Sequence, residues 1–489
     1  MGRVSSTSFR LLIVICVFLA VAWGWRLAGQ ERAVGVTVFE GARLIVGDGT
    51  APIENSAFVV QNGRFVQVGR RGELNVPAGA TQIDLSGKTV MPTMTDLHGH
   101  YGFQNVIEGK MSKAFFTRAN LIDHLERLAY VGVGATVGIG DLMDRSDLHG
   151  GRTDWGDVPL EVRSQVIPNA ALFLTAGKGI AWPGSGPQGD PSRVDVPYPV
   201  TTPEDAREAV DDNVKMKPLF IKIWVDDRGG TKKTLTPDLY GAVIEEAHKY
   251  NVPVGVHNVT LANAKQLMRD GVEGWLHVPV RGGEAVDDEL IRIVKQRIAT
   301  NNRPIMWITP DLMTAWMDSQ GGGKRPDWLD DSLLKELYPP EQIEDYWGKP
   351  LAKMTPAQVE KESKEFKLET NNAMRLRAAG MRFVEGTDTG QTRFFIGYFN
   401  HLDLQTMVAM GLTPMQAIVA ATRDSAQIAH INSGLVASGK SADFIVLNAN
   451  PLDNIANTRR IDEVYLRGQK VDRAGLRHKW QSQWAHGGN

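Results

Sequence analysis

The sequence predicts an α/β protein: a TIM-type (β/α)8 barrel with a small β-sandwich built from the N- and C-terminal segments. Three observations predict it. Short apolar runs alternate with helical periods from Val90 to about His430, and eight of those runs read as strands. Short β segments precede that region from Val34 to about Thr89, and strand character returns at Ala442–Leu447 and Glu463–Leu466. Histidines and an aspartate fall at the C-terminal ends of barrel runs, the end at which such barrels build their active sites.

The elements follow in chain order. Arg3 and Arg10 are basic, no acidic residue precedes Glu31, and Leu11–Ala22 is a continuous apolar run. That run is short for a membrane span of about 20 residues and fits a signal-peptide core of about 7–15. Ala20-Val21-Ala22 offers a cleavage site, so residues 1–30 read as a signal peptide and the chain as exported, periplasmic or secreted. Trp23, Trp25 and Arg26 keep an uncleaved N-terminal anchor open as the alternative, and this segment is the one route to membrane attachment.

Residues 34–90 form the first part of the sandwich, with Asn62-Gly63 between two apolar runs as a two-residue hairpin turn. The barrel occupies 91–430. Its eight strands are Met91–Leu97, Ala135–Ile139, Ala170–Ala176, Phe220–Val225, Val252–His257, Gly274–Val278, Pro304–Thr309 and Arg382–Thr387. Helical periods lie between several of them, as at Pro237–Tyr250 and Asn263–Asp270. Residues 324–370 exceed a normal connection and read as a helical insert near the mouth. Residues 431–475 complete the sandwich, and 476–489 are a tail.

Composition narrows the chemistry. In 489 residues, 42% are hydrophobic and 22% charged, the balance of an ordinary globular protein. The 54 basic and 56 acidic residues leave a formal net charge of -2, which gives no global electrostatic reason to bind nucleic acid. The single cysteine, Cys16, excludes an intramolecular disulfide, a zinc finger and an iron–sulfur cluster. A metal would need nitrogen and oxygen ligands.

His98 and His100 form His-x-His at the end of the first barrel strand, and residues two apart on a strand share a face, so both rings can reach one metal. Asp96 has the same parity. His257 ends VPVGVH, His277 ends WLH, and Asp388 sits in EGTDTG just past an apolar run. Singly each reads as a capping or core residue; five together at strand ends do not. Lys222 interrupts the apolar FIKIWV, where a buried lysine is costly unless paired or chemically altered. Tyr101 follows the His-x-His and is expected at the mouth as a substrate contact. Arg228 is the second substrate candidate, a partner for a carboxylate, with an ion pair to Asp226 or Asp227 as the competing reading. His124, His248, His430, His478 and His486 read as helix-surface or tail residues.

This constellation resembles the metal-dependent amidohydrolase superfamily, and within it the imidazolonepropionase-like and prolidase-like branch. LSGKTVMPTMTDLHGH, FIKIWVDD, VPVGVHN, GWLH, VEGTDTG, GLTPMQAIVAATRDSA and SGKSADFIVLNANPLDNI carry the resemblance over nearly the whole chain after the leader. It implies two divalent metal ions, zinc first. His98, His100 and Asp388 would hold one ion and His257 and His277 the other, with Lys222, as its carbamate, bridging them. It also implies that the ions activate water at neutral pH, while Asp388 takes the proton and passes it to the leaving nitrogen. The expected activity is hydrolysis of amide or peptide bonds in small substrates such as dipeptides or N-acyl amino acids. The alternatives are a lactone, ester or organophosphate hydrolase on the same site, and a non-catalytic periplasmic binding protein. Mononuclear deaminases of the same fold place a glutamate shortly after the fifth-strand histidine; here Asn258-Val259-Thr260 follows instead. Relatives often assemble, so a homo-oligomer is an open expectation.

Two other motifs carry no assignment. Gly434–Ser441 matches the phosphate-loop pattern G-x-x-x-x-G-K-[ST], but a strand follows where that loop needs a helix, so no nucleotide is expected. Gly177–Pro191 is a glycine- and proline-rich loop over the third strand, either pocket lining or mobile surface.

Overall fold

A computed structural model describes residues 35–140, 158–187, 196–300 and 305–485. The segment 1–30 with Cys16, His149, the end of the Gly177–Pro191 stretch and His486 lie outside the described residues.

The chain enters through β1 (Val36–Glu40), β2 (Arg43–Leu44), β3 (Ser56–Gln61), β4 (Arg64–Arg70), β5 (Thr81–Asp84) and β6 (Thr89–Pro92). Asn62 and Gly63 take φ of 51° and 72°, and they turn β3 into antiparallel β4, the hairpin the sequence predicts. β4-β3-β1-β5 make one sheet. A parallel set follows: β7 (Met94–Gly99), β8 (Val133–Gly138), β9 (Leu172–Thr175), β10 (Ile180–Ala181), β11 (Tyr198–Pro199), β12 (Ile221–Val225), β13 (Val254–Asn258), β14 (Gly274–Leu276), β15 (Trp307–Thr309) and β16 (Arg382–Phe383). Finally β17 (Phe444–Leu447), β18 (Ile461–Leu466) and β19 (Gln469–Lys470) return to the start, giving a sheet in the order β2-β6-β17-β18-β19.

Both ends of the chain fill one aromatic core. Phe39 stacks on Phe58 at 5.0 Å, Phe444 stacks on Tyr465 at 4.6 Å, and Phe58 meets Phe444 edge-on at 5.2 Å. Offset and edge-on pairs of this kind add to the area they bury. The segment that matches the phosphate-loop pattern lies beside this core. The Gly439 N–H donates to Phe65 O at 2.8 Å and the Phe65 N–H to Lys440 O at 3.0 Å, so the segment is a turn paired to β4 that feeds β17.

The parallel strands form two sheets, β9-β8-β7 and β11-β10-β12-β13-β14-β15-β16. Each of the eight predicted runs contains or overlaps one of these strands; β10 and β11, two residues each, are additional. Hydrogen bonds connect the sheets at both edges. Leu97 N–H donates to Glu385 O at 3.0 Å, His100 N–H to Thr389 O at 2.7 Å, and Leu219 N–H to Thr175 O at 2.9 Å. On β12, Ile221, Ile223 and Val225 face the main hydrophobic core, which puts Lys222 and Trp224 on the opposite face. All five residues are buried, as expected where helices cover a parallel sheet.

Thr-Pro pairs open four helices, at Pro203–Lys215, Pro237–Lys249, Pro356–Ala378 and Pro414–Val419. Proline suits the first helical position because its missing N–H would have no partner there. Thr202, Thr355 and Thr413 also complete capping boxes. The predicted insert is helical, with Ser332–Leu337, Pro340–Ile343, Lys349–Ala352 and a last helix that runs on to Ala378.

Phe444→Ala removes a ring shared by four aromatic neighbours. It is expected to cost about 3–5 kcal/mol, read as a lower urea midpoint in circular dichroism.

Candidate metal centre

The ends of β7, β13, β14 and the segment after β16 bring four histidines and an aspartate together. His100 Nε2 lies 2.8 Å from Asp388 Oδ1, and His98 Nε2 lies 3.3 Å from the same oxygen. The rings continue as a chain: His98 to His100 at 5.4 Å, His98 to His277 at 5.5 Å, and His277 to His257 at 4.3 Å. Among the described residues, His98, His100 and Asp388 form a group whose ligand atoms all lie within 4.8 Å of one another.

Local sequence explains the approach. The Asp388 N–H donates to His98 O at 2.7 Å, which pins the EGTDTG segment along β7. A Cβ at Gly390 would stand 1.8 Å from His100 O, and one at Gly386 would stand 2.8 Å from His98 Cβ. These glycines therefore make room for the histidine-bearing strand itself. Asp388 has φ 50° and His277 φ 124°. Non-glycine residues held there carry strain on the order of 1–3 kcal/mol, a feature that concentrates at functional sites.

Hydrogen bonds fix the ring tautomers. His100 Nδ1 is 2.6 Å from Ile139 O, and a carbonyl only accepts, so Nδ1 carries the proton. In neutral His100, Nε2 is then a bare lone pair facing a carboxylate oxygen. His257 Nε2 donates to Asp226 Oδ2 at 2.9 Å, which leaves Nδ1 bare and 2.6 Å from His277 Nε2. His98 Nδ1 and His277 Nδ1 are buried without a hydrogen-bond partner. Acceptor facing acceptor in a buried site is stable only with a proton or a cation between them.

Electrostatics favour neutral rings. Burial holds His98 and His277 well below the ordinary histidine range. Burial also lowers His257 to about 4, against the Asp226 bond that favours its charged form. Neutral imidazole is the form that ligates metal. The charge of Lys222 adds to the depression of all three. Lys222 is 1% exposed, and its Nζ lies 4.9 Å from the Trp224 ring centre.

One substrate candidate, Tyr101, is placed differently from expectation. Tyr101 is fully buried, not at the mouth; its hydroxyl donates to Asp96 Oδ2 at 3.2 Å and accepts from Thr136 Oγ1 at 2.8 Å. Gly99 makes the space: a Cβ there would lie 2.3 Å from the Tyr101 ring. Arg228 pairs with Asp226 at 3.0 Å and donates to Gly186 O at 3.1 Å, the competing reading of its role. Asp96 is structural. It accepts from the His98 N–H at 2.9 Å, Thr387 Oγ1 at 2.6 Å and Asn400 Nδ2 at 3.1 Å. The described part of the Gly177–Pro191 loop includes β10, paired to β12 through Ile180 and Ile223, so that part is built into the sheet.

Two acidic residues at the site were not assigned from sequence. Asp226 orients His257; burial would raise it, but the His257 bond and the Arg228 N–H hold it at about 2. Asp311 lies just past β15, its Oδ2 3.7 Å from His98 Nδ1. Burial and the neighbouring Asp388 charge push its carboxyl well above the ordinary range. The strand-end criterion that found Asp388 would also have found Asp311.

A family model described as the amidohydrolase family matches residues 193–471. The chain belongs to the amidohydrolase family. It is a hydrolase acting on carbon–nitrogen bonds. The matched segment holds Lys222, His257, His277 and Asp388, while His98 and His100 precede it. No curated protein matches this amidohydrolase. Among solved structures it is similar to a Bifidobacterium longum protein assigned as a prolidase, at 25% identity and a TM-score of 0.66 over 92% of this chain and 99% of that one. It is also similar to a Xaa-Pro dipeptidase with bound methionine, at 19% identity and a TM-score of 0.65 over 89% and 99%. A molinate hydrolase aligns at 18% identity and 0.66 over 90% and 95%. These likenesses show a TIM-barrel-like α/β fold.

His124, read from sequence as a surface residue, is buried on the helix Arg118–Tyr130 and holds the segment after His100. Its Nδ1 accepts from the Gly102 N–H at 3.0 Å and its Nε2 donates to Gln104 O at 2.8 Å. Burial lowers His124 to about 4 and His401 to about 3. An unfolded histidine titrates near ~6.5, so both contribute stability that is complete above that value and is lost as pH falls towards their folded values. The thermal midpoint of metal-free protein is therefore expected to drop between about pH 6.5 and pH 4. In His124→Asn that drop should be shallower.

Proposed function

We propose that this amidohydrolase cleaves the amide or peptide bond of small substrates such as dipeptides or N-acyl amino acids, at a centre of two divalent ions. One observation carries the reading: Ile139 O takes the Nδ1–H hydrogen bond of His100, which presents Nε2 as the ligating nitrogen, 2.8 Å from Asp388 Oδ1 in one group with His98. Beside it His257 Nδ1 and His277 Nε2 lie 2.6 Å apart on the next strands, two further imidazole nitrogens for a second ion. The donor set is nitrogen and oxygen throughout, which suits zinc and also accepts manganese, cobalt or iron. His98, His100 and Asp388 would hold one ion and His257 and His277 the other. Lys222, carrying a carbamate, would bridge them.

Divalent ions held by these residues would supply hydroxide near neutral pH and a Lewis acid for the scissile carbonyl. The residues do the rest. Asp388 accepts the proton of the attacking water and delivers it to the leaving nitrogen. Asp226 keeps His257 in the tautomer that presents Nδ1. Ile139 does the same for His100. The prolidase-like neighbours agree with a dipeptide-sized substrate.

The same reading extends to architecture and location. The strands of the two parallel sheets that match the eight predicted runs close as one barrel, and the sheets at the chain ends form the sandwich beside it. Residues 1–30 direct export, after which the chain works as a secreted or periplasmic enzyme, alone or as a homo-oligomer.

Lys222→Ala should lower bound metal, counted by elemental analysis, and hydrolytic activity together. Full activity in that variant rejects the two-ion reading. A screen of dipeptides, acyl amino acids, lactones and phosphotriesters then identifies the bond that is cut.

A further inference from the structure

The segment after β14 carries a cation that neither the family resemblance nor the ligand set uses. Val278, Pro279, Val280 and Arg281 run from His277 across the ends of the neighbouring strands. Val278 N–H donates to Pro310 O at 3.3 Å, and Arg281 N–H donates to Val259 O at 2.9 Å. Asn258 Nδ2 donates to Pro279 O at 2.7 Å, and Asn372 Nδ2 donates to Val280 O at 3.1 Å. The backbone of Arg281 is thus clamped between segments that follow His257 and precede Asp311.

Its side chain ends in unmet donors. Arg281 Nε and Nη2 are both buried, and neither has a hydrogen-bond partner among the described residues. These two nitrogens lie on the same edge of the guanidinium, the edge that grips a carboxylate with two parallel N–H···O bonds. Arg281 stands four residues after His277, and among the described residues its Nε and Nη2 meet no carboxylate. A buried charged donor left unmet is costly. A ligand that brings two oxygens removes the cost on arrival.

We propose that Arg281 is the substrate-carboxylate anchor of this enzyme, its Nε–Nη2 edge taking the free carboxylate beside the scissile amide. The inference rests on the amide-hydrolase reading and deepens it. The substrate class becomes N-acyl amino acids and dipeptides with a free C-terminal carboxylate, and neutral amides, lactones and phosphotriesters fall outside it. Lysine cannot replace this arginine, because an ammonium is a point charge without the planar fork.

The test compares N-acetyl-L-methionine with N-acetyl-L-methionine amide in metal-loaded wild type, Arg281→Lys and Arg281→Met. Wild type should favour the acid. Both variants should lose about 10- to 100-fold in kcat/KM for the acid, mostly as a raised KM, and little for the amide. Equal losses on acid and amide overturn the proposal and make Arg281 a packing residue. A wild type that prefers the amide overturns it as well. Calorimetric binding of N-acetyl-L-methionine separates the two readings. If wild type binds the acid and Arg281→Met does not, while neither hydrolyses any amide, the hydrolase reading fails and the anchor stands. If wild type does not bind the acid, the anchor fails.

Discussion

A backbone carbonyl sets the terms for the site. Ile139 O takes the Nδ1 proton of His100, and the remaining nitrogen faces a carboxylate oxygen 2.8 Å away. Two acceptors at that separation repel in a buried setting unless something positive lies between them. Asp226 sets the tautomer of His257 in the same way, through a bond to Nε2 at 2.9 Å that turns Nδ1 towards His277 Nε2. The protein thus gathers His98, His100 and Asp388 into one group of ligand-type atoms, with His257 and His277 beside it.

Much of the surrounding structure serves to hold these ligand-type side chains in place. Asp388 is locked by its N–H to His98 O, and the strand it lies along approaches closely only because Gly386 and Gly390 have no side chain. Asp96 ties the β7 backbone to Thr387 and Asn400 from beneath. His124 anchors the chain immediately after His100. Each contact is worth little alone, and together they fix ligand geometry before any ion arrives, which is how a preorganised site avoids reorganisation on binding.

The sequence made the parallel strands legible because apolar runs buried on both faces stand out between helical periods. It also made the metal-type residues legible, since strand ends in an (α/β) barrel are where chemistry collects. What it concealed was direction. Tyr101 follows the His-x-His, but Gly99 lets its ring fold back onto Asp96, so adjacency in sequence did not mean adjacency to solvent. His124 lies on an amphipathic helix whose period cannot say which polar residue is turned inward to cap a loop. β10 and β11 are two residues each, too short for any periodic signal. Asp311 was within reach of the strand-end criterion, whereas Arg281 stands out through two buried donors without partners among the described residues, a property with no sequence signature.

The central proposal is that this cluster of histidines, with Asp388 and Lys222, holds two cations. Elemental analysis of the purified full chain, dialysed against metal-free buffer, tests it most directly. The account predicts close to two divalent ions per chain, and a folded, active enzyme with none would contradict it.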